Sequence, residues 1–353
     1  MARRSLSKQP PSIVEVAERA GVSIATASRV MSNSSYPVNI ATREKVLKAA
    51  TELGYTPNSL ARSLRSQRSK LIAAIVGDNA DPYFAEIMRG VEDVASEHGY
   101  LTIVCNSDRQ PAKELHYLRT LRDYRADGVL FAGGALNEPS HAQRLEEVVN
   151  EMKSRGAAII TLAQHTLGVP SIQTDNFGGA RAMTTRLLEL GHRRIAFVAG
   201  PSNLTVANVR LQGYMAALVE AGLSLDPHLI LTGNFDREGG QRAAHDIAQI
   251  PVEHRPTAIF AANDQTAFGV MLGLGEMGWR VPDAISVCGF GDLPMAQIVF
   301  PQLTTVSIPL RQLGRTGTLR LLAALRNEEI PPLEVLPTTV VERSSTAPYR
   351  EAL

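Results

Sequence analysis

SIVEVAERAGVSIATASRVM, residues 12–31, decides the fold of the N-terminal region. Ser12 and Glu15 form an S-x-x-E capping box, so a helix starts there with Val16, Ala17 and Ala20 on its inner face. Gly21 allows the chain to reverse, because glycine tolerates a positive φ. Ser23 then caps a second helix whose inward positions are Ala27 and Val30, and small Ala17 and Ala27 let the two helices cross closely. Ile24, Ala25, Thr26, Ser28 and Arg29 point outward and have little reason to face water unless another surface meets them. This is the pattern of a helix-turn-helix, whose second helix offers its first residues to base edges in the major groove. There an arginine grips guanine and apolar groups touch thymine methyls.

Charge divides the chain at the same place. Residues 1–70 carry a net +8 and residues 71–353 a net −7, so the near-neutral total hides a basic arm on an acidic body, and only the arm suits a polyanion. Asn39 caps a third helix, IATREKVLKAATEL, with Val46, Leu47, Ala50 and Leu53 facing inward and Gly54 closing it. TPNSLARSLRSQRSK follows, in which Ser59 to Ser66 is too short to be a stable helix alone and presents Leu60 and Leu64 among Arg62, Arg65, Arg68 and Lys70.

From Lys70 onward β-like and helix-like stretches alternate. LIAAIVGD, LTIVCNSD, DGVLFAGG and AAIITLA form one set, RRIAFVAG, HLILTG, TAIFAAND and ISVCGFGD a second, with amphipathic stretches between them. Near-continuous apolar strands between helices imply parallel sheets covered on both faces, hence two doubly wound α/β lobes. Ligands in such folds bind at the carboxyl ends of the strands, where this chain places Asp78, Asn79, Asn106, Asp108, Asn263, Asp264 and Asp292.

Other classes of function lack their signatures. There is no GxGxxG between strand and helix, no GxxxxGK[ST] and no GxSxG, so an enzyme is not expected, and no cofactor is expected either. Cys105 and Cys288 end apolar runs without a ligand partner beside them, and the eight histidines are scattered, so no metal site is expected. No run approaches the ~20 apolar residues needed to cross a bilayer, and residues 1–11 do not read as a signal peptide, which makes a cytoplasmic location the expectation.

Residues 13–66 strongly resemble the lactose/galactose repressor family through IVEVAERAGVS, ATASRV, the TREKV run, LGYTPN and LARSL. DPYFAEIMRGVE, TDNFGGARAMTTRLLELGHRRIAFVAGP, PTAIFAANDQTAFGVM, VPDAISVCGFGD and PQLTTVSIPLRQLGRTG extend the resemblance to the C-terminal region. The resemblance implies a helix-turn-helix domain (1–56), a hinge helix (57–70) and a periplasmic-binding-protein-like core (71–353). The core's first lobe spans about 71–173 and 306–332, its second about 174–305 and 333–353, with chain crossings near Gln173, Thr305 and Leu333. The implied DNA-facing residues are Ser12, Ser23, Ile24, Ala25, Thr26, Ser28, Arg29, Asn39, Asn58, Ala61, Arg62, Leu64 and Arg65, with Leu64 entering the minor groove. Tyr83 and Phe84 match ring-stacking effector contacts, Arg210 an arginine gripping effector oxygens, and Asn263 a hydroxyl-binding asparagine, with Asp264 and Asp292 beside them.

Two departures matter: Gly291 stands where many members have Asp, and Leu204 and Val206 replace the Arg and Thr of purine-responsive members. A sugar or sugar acid is therefore the expected effector. The implied function is a homodimeric repressor binding an inverted-repeat operator and released by an inducer, with corepressor-dependent and activating modes left open. The alternative is a periplasmic-type sugar receptor, against which the DNA-binding head speaks. The chain ends without a leucine-heptad tail, so a dimer is expected rather than a tetramer.

Overall fold

The computed structural model describes residues 11–32, 36–56 and 68–350, and the chain divides into two compact units between Ser69 and Lys70. Asn58, Ala61, Arg62, Leu64 and Arg65 lie outside the described residues.

In the first unit, α1 (Ile13–Ala20) starts at the capping box: Ser12 N–H donates to Glu15 Oε2 at 2.6 Å while Ser12 Oγ accepts from Glu15 N–H. Gly21 ends it at φ 65°, in the left-handed region where glycine carries no Cβ penalty. Ser23 Oγ caps α2 (Ile24–Met31) by accepting from Thr26 N–H, and Asn39 Oδ1 caps α3 (Ile40–Leu53) by accepting from Ala41 N–H at 2.9 Å. Val16, Ala17, Ala27, Val30, Val46, Ala49 and Ala50 form the shared core. Leu47 was expected inside, yet it is 46% exposed. Val46, Ala49, Ala50 and the half-buried Leu53 are three, four and seven residues apart and make the inward stripe, whereas Leu47 sits about 100° off Val46.

The second unit contains two six-stranded sheets. The first lobe comprises β1 (Leu71–Val76), α4 (Pro82–Glu97), β2 (Leu101–Asn106), α5 (Pro111–Asp123), β3 (Gly128–Phe131), α6 (Pro139–Ser154), β4 (Ala158–Thr161) and β5 (Ser171–Thr174). The chain then forms α7 (Asn176–Glu189), β6 (Ile195–Ala199), α8 (Thr205–Glu220), β7 (Ile230–Thr232), α9 (Arg237–Gln249), β8 (Ala258–Ala261), α10 (Asp264–Glu276), β9 (Ser286–Gly291) and β10 (Thr304–Ser307). Last come α11 (Leu310–Leu325), β11 (Leu333–Leu336) and β12 (Thr339–Val341). The sheet orders are β11-β5-β4-β3-β1-β2 and β12-β10-β9-β8-β6-β7, all parallel except the antiparallel β10–β12 pair. Apolar β-branched strands such as Ile72–Val76 are buried almost throughout because helices cover both faces.

The third chain crossing falls later than its expected place near Leu333. Leu333–Leu336 pairs in parallel with Ser171–Thr174 and so extends the first lobe's sheet, and the chain passes to the second lobe only at Pro337–Thr338. The edge strand exposes Leu333 and Val335, so burial does not announce it, and its backbone pairing decides.

Candidate functional site

At the outer face of α2, Ile24 is 48% exposed, Ala25 and Arg29 are exposed, and Thr26 and Ser28 are half-buried. The Arg29 guanidinium lies 4.1 Å from the centre of the Tyr36 ring, which limits its rotamers while leaving its N–H groups at the surface. Ser23 Oγ is occupied by Thr26 N–H and by Thr26 Oγ1 at 2.9 Å. Ser12 and Asn39 spend their side-chain oxygens as helix caps, so their oxygens serve the three-helix unit itself.

In the second unit a cavity opens between the lobes at the carboxyl ends of the strands. Ile75–Gly77 at the end of β1, Ser107 after β2 and Ala132–Gly134 after β3 form one wall, while Leu204, Val206, Arg210, Phe235 and Asn263 form the other. Tyr83 and Phe84, their rings edge to face at 5.1 Å, come from the first turns of α4. Over the rim, Leu136 and Leu204 form an isolated antiparallel bridge and Asn137 N–H donates to Asn203 O at 2.7 Å. Gly134 permits that approach, because a Cβ there would lie 2.9 Å from Val206 Cγ1.

Arg210 is 4% exposed and held from three sides. Nε donates to Asn176 Oδ1 at 2.8 Å, Nη1 donates to Ala262 O at 2.7 Å, and the guanidinium stacks 3.9 Å from the Phe290 ring centre. Burial pulls its pKa down to about 10, with Tyr83, Asp264 and Asp81 opposing that fall, so it stays charged at neutral pH. Among the described residues Nη2 has no hydrogen-bond partner, which leaves a donor pair that a ligand oxygen can use. Asn263 reaches the cavity with part of its capacity used: Oδ1 caps α10 through Thr266 N–H and Nδ2 donates to Phe235 O at 3.0 Å.

Two expected effector residues stand elsewhere. Asp264 is fully buried but does not line the cavity: Thr305 Oγ1 donates to its Oδ1 at 2.5 Å and Leu293 N–H to its Oδ2 at 2.7 Å. Both oxygens thus tie β10 and the turn after β9 together, and burial raises its pKa to about 6. Asp292, at φ 54°, pairs with Arg343 Nη2 at 2.6 Å and is likewise absent from the lining. The left-handed turn at Asp292 follows Gly291, and the Asp292 carboxylate is paired with Arg343 of the C-terminal segment.

Asp78, Asn106 and Asp108 also stay out of the lining, held by local bonds to Ala80 N–H, Asn79 N–H and Lys113. The lining instead includes Asp81, Arg109, Glu114 and Phe235, which the sequence reading did not select. Arg109 and Glu114 follow β2, the same strand end that carries Asn106 and Asp108; position along the strand is the usable signal, and reach of the longer side chains chooses between them.

Residues 12–58 match the family described as bacterial regulatory proteins, lacI family, and residues 69–338 match periplasmic binding proteins and sugar binding domain of LacI family. The chain is 35% identical over 337 residues to the HTH-type transcriptional regulator RegA of Clostridium saccharobutylicum, covering 95% of this chain and 99% of RegA. It is similar to the lac repressor dimer bound to operator and the anti-inducer ONPF, at 28% identity and TM-score 0.83, covering 96% and 100% of the two chains. A LacI family regulator from Enterococcus faecium with bound ribose is 29% identical, with TM-score 0.71, over 79% of this chain and 100% of that one. A capped helix-turn-helix with an exposed second helix, joined to a two-lobed core around a buried arginine, agrees with these similarities in both units: the chain belongs to the LacI family of bacterial transcriptional regulators.

Proposed function

We propose that this protein is a cytoplasmic homodimeric repressor of carbohydrate-metabolism genes that binds an inverted-repeat operator and releases it when a sugar-class effector enters the interlobe cavity. The observation that carries this reading is the pairing, in one chain, of the exposed Ile24, Ala25 and Arg29 surface with a cavity lined by buried Arg210, whose Nη2 has no partner among the described residues. The lac repressor structure with operator and the ribose-bound regulator support the two halves of the reading. Among the described residues no helix is long and apolar enough to cross a membrane. The edge strand β2 exposes Leu101 by 67%, Ile103 by 38% and Val104 by 44%, an apolar surface suited to a second copy of the chain.

Coupling is then a population shift: an effector that favours one arrangement of the lobes needs only about 1–3 kcal/mol of differential affinity to change operator occupancy. Footprinting on DNA upstream of the neighbouring genes tests the reading, and the expected result is a protected inverted repeat that a sugar releases. Leu64→Ala is expected to weaken the operator complex and keep the fold, since insertion at a flexible central step adds contacts that alanine cannot make. Arg29→Ala is expected to lose roughly 1–3 kcal/mol on operator and little on random DNA. Equal loss on both DNAs would reassign Arg29 to phosphate contact, and protection of no inverted repeat would end the repressor reading.

A further inference from the structure

Glu114 is the second buried charge of the cavity, on the lobe opposite Arg210. It lies in the first turn of α5, lines the cavity and is 9% exposed. Its Oε2 accepts from His141 Nε2 at 2.6 Å, and His141, in the first turn of α6, is 1% exposed. The Nε2–H tautomer fits, since His141 Nδ1 is buried without a partner among the described residues and in that tautomer needs no acceptor. Among the described residues Glu114 Oε1 has no hydrogen-bond partner, so a residue held in place by the imidazole brings a spare acceptor to the cavity lining.

The charged residues of the lining sort by sign and position. Asp81 and Arg109 pair with each other at 4.0 Å, which leaves Glu114 on one lobe and Arg210 on the other. Burial raises the pKa of Asp81, against the pull of Tyr83 N–H and Arg109, and Arg210 already lies in the fields of Asp81 and Asp264. Asp81, Arg109, Glu114 and Arg210 thus sum to no formal charge. An acid bound between them brings an uncompensated negative charge into a closed space with Glu114, and an amine does the same toward Arg210. A hydroxyl donates and accepts, so one hydroxyl can donate to Glu114 Oε1 while another oxygen accepts from Arg210 Nη2. Phe84, Leu136, Leu204, Val206 and Phe235 supply the apolar surface for a carbon skeleton.

Resting on the sensor reading above, we propose that Glu114 receives a hydroxyl of the effector and that the cavity thereby selects an uncharged polyhydroxyl ligand over the corresponding acid. His141 acts as a positioning residue for that carboxylate.

Calorimetry of the full chain with matched probes tests this: D-ribose against D-ribonate, D-glucose against D-gluconate, and cellobiose against cellobionate. The expected result is binding of at least one neutral sugar, with its acid at least tenfold weaker. Glu114→Gln is expected to weaken the neutral sugar about tenfold and to narrow its preference over the acid, because the amide keeps the shape and removes the repulsion. His141→Phe is expected to weaken the neutral sugar only while Glu114 is present, a coupling that a merely structural histidine would not show.

Binding of an acid as tightly as its sugar, binding of no neutral probe, or a Glu114→Gln protein within twofold of wild type overturns the inference. Operator binding by the ligand-free protein, measured in parallel, reports on the repressor reading separately: it is expected to be unchanged in both variants.

Discussion

Arg210 lines the cavity, fills Nε and one Nη1 hydrogen with protein acceptors and leaves Nη2 without a partner among the described residues, so its removal has a specific expected cost. Arg210→Ala should lose about 2 kcal/mol or more of effector affinity, since a charge-assisted donor in a closed site disappears. Calorimetry reads that loss, and operator binding without effector should survive. His165 gives a different signal. Burial lowers its pKa from 6.5 to about 4, with nearby His141 pushing the same way and Glu114 opposing. Between those values the unfolded chain binds a proton that the folded one refuses, so this group's contribution is present above pH 6.5 and is lost as pH falls toward 4. Asp264 has the opposite sign in an overlapping window, because its pKa is raised to about 6 from 3.8 and protonation on acidification favours the folded state. Wild type therefore shows a partly cancelled profile. His165→Gln should become more stable relative to wild type as pH drops from 6.5 to 4, by up to roughly 3 kcal/mol. Parallel pH dependences in denaturant melts of the two proteins would show that His165 does not contribute this term.

Helix pairs in both lobes cross through reciprocal glycines. A Cβ on Gly90 of α4 would lie 2.0 Å from Arg311 O, and one on Gly314 of α11 would lie 2.0 Å from Ile87 O. The second lobe repeats the device, with Gly240 of α9 against Thr266 O at 2.0 Å and Gly269 of α10 against Arg237 O at 1.9 Å. Backbone cannot yield as a side chain can, so each alanine must push two helices apart. Gly90→Ala and Gly314→Ala are each expected to cost about 1–3 kcal/mol, visible as a lower Tm. The double variant should cost less than the sum, because the first separation makes room for the second Cβ.

At the scale of the whole molecule, the proposed dimer rests on the apolar edge at β2. Leu101→Glu with Ile103→Glu should yield monomers by sedimentation and lose operator affinity while circular dichroism stays native, because both residues are exposed and their replacement leaves the core intact. A dimer that persists with full operator affinity would move the subunit interface to another face.

Much of the fold was written in local sequence. Ser12, Gly21, Ser23, Asn39 and Gly54 act on their own backbone within a few residues, so each cap and turn expected from them is where the chain forms it. The two α/β lobes were legible because strands buried on both faces must be apolar almost throughout. Long-range pairing decided the rest. Leu333–Leu336 joined the first lobe through its backbone bonds to β5, and Asp292 met Arg343 across 51 positions. Arg210 was found from its motif, but its free donor pair depends on Asn176, Ala262 and Phe290, which only folding assembles around it. Glu114 carried no motif at all; its place became apparent once α5 and α6 brought it against His141, because a side chain's role in a cavity depends on neighbours distant in sequence.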